Sequence, residues 1–100
     1  MIREFHGFDW DHGNRKKCQK HGVSIAEIED LFLRNALRLE PDIFNSVAEQ
    51  RFRAIGKTGE GRGIFLVFTI RGHGAARLIR PISARYMHKK EIDAYEKENS

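Results

Sequence analysis

The sequence predicts a small α+β domain with two N-terminal helices, a mainly antiparallel sheet of about four strands and a C-terminal helix. Three observations carry this. Ser24-Ile25-Ala26-Glu27 has the form of a capping box, which opens a helix. Between Ala36 and Arg85, short segments of strand character are separated by glycine-bearing turns. From about His88 to Lys97 the pattern returns to helical, with Ile92 and Tyr95 marking one side.

Taken in order, Asp11 is placed to cap a first helix running through Lys20, with Gly22 as its stop. The acid stands at the positive end of the helix dipole, and Arg15, Lys16, Lys17 and Lys20 follow toward the other end. A short strand before Trp10 is compatible with the pattern. In the second helix Val23 and Ile28 occupy the positions of a hydrophobic staple, and Ile25, Ile28, Leu31 and Phe32 form a stripe that must lie on a sheet. The strands are expected over Ala36–Glu40, Glu49–Lys57, Gly63–Arg71 and Ala75–Arg85. In the second of these, Phe52 and Ala54 alternate with Arg51 and Arg53, so one face is apolar and the other carries two arginines. Ile64 to Ile70 is apolar on both faces and reads as the central strand. The connections at Thr58–Gly63 and Arg71–Gly74 are short enough to be antiparallel hairpins. Pro81 marks an edge or a bulge in the last strand, because it has no N–H to give a ladder.

A chain of 100 residues accommodates one compact domain. No apolar run approaches the roughly 18 residues of a membrane span, and the first residues lack the apolar core of a secretory signal, so a cytoplasmic protein with no membrane partner is expected. Cys18 is the single cysteine, which excludes an internal disulfide. The net charge of +4 is modest, but from Gly61 to Lys90 there are seven basic residues and no acid, which points to a polyanionic partner.

The five histidines give no metal-ligand set: Cys18 and His21 share a helical spacing, two ligands where zinc needs three or four. No metal and no cofactor is expected. Gly59 to Gly63 lacks the lysine and following helix of a phosphate loop, and Ser83 stands in no nucleophile-elbow motif. Direct DNA binding is disfavoured, since no helix-turn-helix pattern is present. The strongest signal is arginine interleaved with aromatic residues. Arg51, Arg53, Arg71, Arg77, Arg80 and Arg85 fall on three successive strands, suited to bidentate phosphate contacts, with Tyr86 available to stack a base. RNA cleavage requires that the 2′-hydroxyl be activated, that charge at phosphorus be stabilised and that the leaving oxygen be protonated. Arginine serves the second need, and His21, His88, Glu49 and Tyr86 are the candidates for the first and third.

Phe8-Asp9-Trp10-Asp11, the basic segment ending Lys20-His21-Gly22-Val23-Ser24, and Ile82-Ser83-Ala84-Arg85 followed by a Tyr-containing helix together resemble the BrnT family of type II toxins. The resemblance implies a RelE-like fold and a metal-independent endoribonuclease that inhibits translation and growth. It further implies a BrnA-type antitoxin that neutralises the toxin and carries the DNA-binding element, with a homodimer or an assembly of two toxins and two antitoxins. Through that antitoxin alone the chain would meet DNA. Carried onto this sequence, His21 and Arg85 are expected on the active surface and Lys20 on a phosphate; from the residues alone, His21, Glu49 or Tyr86 is expected to move the proton. Arg51, Arg53, Arg80 and His88 are expected to hold RNA, on their positions alone. The other reading is a non-catalytic basic module that binds an acidic antitoxin-like partner.

Overall fold

The computed structural model describes residues 5–33, 37–42 and 49–98. In chain order these form β1 (Gly7–Phe8), α1 (His12–Cys18), α2 (Ile25–Leu31), β2 (Arg38–Pro41), β3 (Phe52–Lys57), β4 (Gly63–Arg71), β5 (Leu78–Tyr86) and α3 (Lys89–Glu98), with a single 3-10 turn at Gly74–Ala76. The strands make one sheet in the order β1-β5-β4-β3-β2, antiparallel except where β1 runs parallel to β5.

The α+β class and the central place of β4 are as expected, but the sheet has five strands rather than about four and is mixed rather than antiparallel. The two helices follow β1 instead of opening the chain. A two-residue strand is too short to show alternation, and β1 owes its place to backbone bonds with β5, including His6 N–H to Arg77 O at 2.8 Å and Asp9 N–H to Ile79 O at 2.8 Å. Among the described residues, three boundaries shift by more than one residue. β3 starts at Phe52 because the Thr69 hydroxyl, rather than a ladder N–H, donates to Gln50 O at 2.7 Å. The 3-10 turn delays β5 to Leu78, and α1 ends at Cys18, two residues short of Lys20. Ala36, the expected start of the strand now seen as β2, lies outside the described residues.

Both N-terminal helices are capped as their sequences dictate. At the start of α2 the Glu27 carboxylate accepts the Ser24 backbone N–H and the Ser24 hydroxyl accepts that of Glu27. At α1 Asp11 is capped reciprocally by Asn14, whose side-chain amide also donates to Asp9 O and Pro81 O, both at 2.9 Å, and so ties the helix to β5. Gly22, at φ +93°, turns the chain from α1 into α2 in a conformation that side chains resist.

One face of the sheet, bearing Ala54, Ile64, Leu66, Phe68, Ile79 and Ala84, packs under Ile28 and Leu31 of α2 and Cys18 of α1 as the main core. Burial pushes the Cys18 thiol up to about 11, which makes it an apolar core residue rather than a nucleophile. The other face is covered only in part, where α3 lays Tyr95 and Ile92 against Ile55, Phe65 and Met87.

The bulge foreseen at Pro81 decides which side chains reach the uncovered part. Val67 pairs with Ser83, yet Phe68 pairs with Pro81, so Ile82 is the extra residue. Strict alternation would put Arg80 on the same face as buried Ala84. The extra residue reverses that parity. Arg80 pairs with Thr69, Ser83 with Val67 and Arg85 with Phe65, placing all three on the face away from the main core.

Candidate functional site

Where α1 meets the end of β4 and the first half of β5, a groove of about 550 Å³ opens, walled by Arg51 just before β3, Arg71 and Arg80 from the sheet, Lys17 and His12 from α1, and the carboxylates of Asp11 and Glu49. Four cations face two acids, so a phosphate entering here would meet net positive charge. Arg80 is aimed by Asp11, whose Oδ2 accepts from it at 2.7 Å, and by Asp9 at 3.4 Å. The Asn14 backbone N–H, and then Arg80, hold the Asp11 carboxyl below its usual range. Asp11 therefore stays an anion that orients the guanidinium. Across the groove, Arg71 meets Glu49 at 3.3 Å in a half-exposed pair, which bulk solvent weakens and an incoming anion can compete for.

The expected site residues divide among three places. Glu49, Arg51 and Arg80 come together in this groove. Arg53 shares their face but is tied to Glu40 at 2.7 Å. Arg85 lies about 13 Å from Arg80 along the ladder, from four residues at ~3.3 Å each. There its guanidinium lies 4.4 Å from the Phe65 ring centre and makes a two-pronged pair with Glu91, at 2.8 and 3.0 Å. Glu91 also accepts the His88 backbone N–H at 2.8 Å, so it caps α3 while holding Arg85, and His88 stands exposed beside it. The Arg85 pair, followed by the His88 N–H, draws the Glu91 carboxyl down to about 2.

Tyr86 points to the opposite face from Arg85. Its hydroxyl donates to Glu27 at 2.7 Å and Gly22 O at 3.2 Å, and Arg62 stacks 3.8 Å from its ring centre. The Glu27 contact raises the tyrosine's pKa and keeps the phenol protonated. For Glu27 itself burial pushes upward, but the hydrogen bonds from Ser24 and Tyr86 outweigh it and the carboxyl ends below its usual range. His21 is exposed in the turn beside Gly22. Lys20 follows the last turn of α1, outside the groove. The bulge and α3 thus separate residues that stand close in sequence.

A model of the family described as the ribonuclease toxin BrnT of type II toxin-antitoxin systems matches residues 10–91. The chain belongs to the BrnT family. No curated protein matches it. The matched span begins at Trp10, beside the capping Asp11, and ends at Glu91, the residue that locks Arg85, so the BrnT match takes in the whole groove. As a toxin of a type II system, a BrnT chain has an antitoxin for a partner. Among the described residues no helix is long and apolar enough to cross a membrane, and no three of His, Cys, Asp and Glu are grouped to hold a metal ion.

Sequence reasoning named Arg71 only within the arginine cluster and had not placed Asp11, His12 and Lys17 in the site. The arginine was legible as part of the basic run. The three residues of the first helix looked like a cap and a solvated face, and only the contact of α1 with β5 brings them to the sheet. A larger groove of about 610 Å³ beside α2 carries only acids among its charged walls, Glu27, Asp30 and Glu60, which suits no polyanion.

Proposed function

We propose that this BrnT toxin is a metal-independent endoribonuclease whose reaction takes place in the groove between α1 and the ends of β3 to β5. The observation that carries this reading is the meeting of three guanidiniums, a carboxylate and an imidazole on one concave surface of a ribonuclease-toxin fold.

In the proposed reaction Glu49 takes the proton of the 2′-hydroxyl, whose oxygen attacks the adjacent phosphorus. Arg51, Arg71 and Arg80 stabilise the extra negative charge that builds on the phosphoryl oxygens. The bond from phosphorus to the 5′-oxygen breaks, and His12, whose side chain lines the groove, supplies that oxygen's proton. The products are a 2′,3′-cyclic phosphate and a 5′-hydroxyl, and the catalytic groups exchange their protons through water afterwards. Arg53, one ladder step away, extends the cationic face along the RNA. Arg85 and His88 organise α3, and Tyr86 organises the turn between α1 and α2, where His21 is exposed. Growth inhibition then follows from loss of translated RNA in the cytoplasm, and a BrnA-type antitoxin neutralises the toxin by covering this cationic face.

The chemistry is tested with an RNA carrying a single 2′-deoxy nucleotide at the cut position. Cleavage at that position should disappear while neighbouring sites remain sensitive, and equal cleavage of both substrates would exclude attack by the 2′-hydroxyl.

A further inference from the structure

A second concavity, of about 540 Å³, lies directly on α1 and is walled by Gly13, Lys16, Lys17 and Lys20. Gly13, Lys16 and Lys17 share one side of α1 at the spacing i, i+3, i+4, and Lys20, in the turn that follows Cys18, continues the same wall. All four residues are exposed, and among the described residues none of the three ammonium groups has an ion-pair partner. Gly13 forms the floor. A Cβ there would stand 3.4 Å from Asp11 Oδ1, an ordinary contact, so the fold does not demand glycine at this point. Gly13, in the first turn of α1, adds no side chain to this wall.

Gly13 and Lys17 also wall the arginine groove, so the two concavities meet across the first turn of α1. We infer that single-stranded RNA leaves the arginine groove over Gly13 and runs along the Lys16–Lys17–Lys20 stripe, which binds the phosphates flanking the cut. The inference rests on the ribonuclease reading of the groove and adds the path of the substrate outside it. Lysine suits this role because an ammonium on a flexible stem holds a phosphate as a point charge without fixing its orientation. The stripe therefore contributes affinity that is independent of base sequence and sensitive to salt.

The test uses the full chain and a single-stranded 2′-O-methyl oligonucleotide, long enough to extend beyond the groove and lacking the attacking hydroxyl. Affinity is read by fluorescence anisotropy between about 50 and 200 mM salt. Every phosphate of a single strand that a lysine neutralises adds about 0.7 to the logarithmic salt slope, so Lys16→Gln with Lys20→Gln should lower the slope by about 1.4. Over that range wild type should then lose about seven-fold more affinity than the double variant. Lys89→Gln with Lys90→Gln, which removes the same charge from exposed α3 positions, should retain the wild-type slope. An unchanged slope in the α1 variant, or an equal drop in the α3 variant, overturns the inference. Cleavage of unmodified RNA by wild type is scored separately. Its absence would remove the ribonuclease reading while the salt slopes still decide the binding path.

Discussion

Asp11 and Asn14 show how a few atoms serve helix, sheet and groove together. The Asp11 carboxylate accepts the Asn14 N–H through one oxygen and aims Arg80 with the other, while the Asn14 amide secures α1 to the Pro81 carbonyl. Asn14 is buried, so Asn14→Ala removes the cap partner and leaves the Asp9 and Pro81 carbonyls unsatisfied. A loss of about 2 kcal/mol is expected in urea unfolding, from the cost of buried acceptors left without donors. Cleavage should fall as well, because His12 and Lys17 reach the groove only through the placement of α1. The role of Asp11 as a cap was legible in the sequence because capping is local. Its hold on Arg80 was not, since that contact spans 69 positions and depends on the parity change at the bulge.

At the scale of elements, α3 is held to the sheet by three carboxylates reaching three strands, Glu91 to Arg85, Glu96 to Lys57 and Glu98 to Arg38. Glu91 is the strongest candidate for pH control because it also caps the helix. Its folded value of about 2 lies below the 4.5 of an unperturbed glutamate, so its contribution is complete above about 4.5 and is lost as pH falls toward about 2. Thermal unfolding between those values should show stability falling with pH in wild type, and Glu91→Gln should flatten that part of the profile while lowering stability at neutral pH. The helices and the four longer strands could be read from the sequence, since caps, staples and the apolar run of β4 act over a few residues. β1 was legible only as a possible short strand before Trp10, because two residues carry no periodicity and its parallel pairing with β5 is non-local. Pro81 announced the irregularity in β5, but which side chains it would redirect depended on the register of β4.

Across the whole molecule, one layer of helices covers one face of the sheet, α3 covers part of the other, and the remaining surface holds the arginines gathered from β3, β4 and β5. The run without acids between Gly61 and Lys90 foretold a cationic surface, but it overstated how much of that charge is free. Arg80, Arg85 and Lys89 are each met by an acid from outside the run. Arg51 and Arg80 were singled out from their predicted strands and Glu49 as a proton-transfer candidate, and the three line one groove, whereas Arg85 and Tyr86, adjacent in sequence, diverge to opposite faces. The most direct test is the single-turnover cleavage rate of single-stranded RNA, measured in EDTA for wild type and Glu49→Gln, with thermal unfolding to confirm that the variant is folded. Wild type should cleave without added metal, and the variant should be slower by on the order of 10² to 10⁴, the usual contribution of a positioned base. A folded variant that cleaves within a few-fold of wild type, or a wild type inactive until metal is restored, would contradict a metal-independent reaction centred on Glu49.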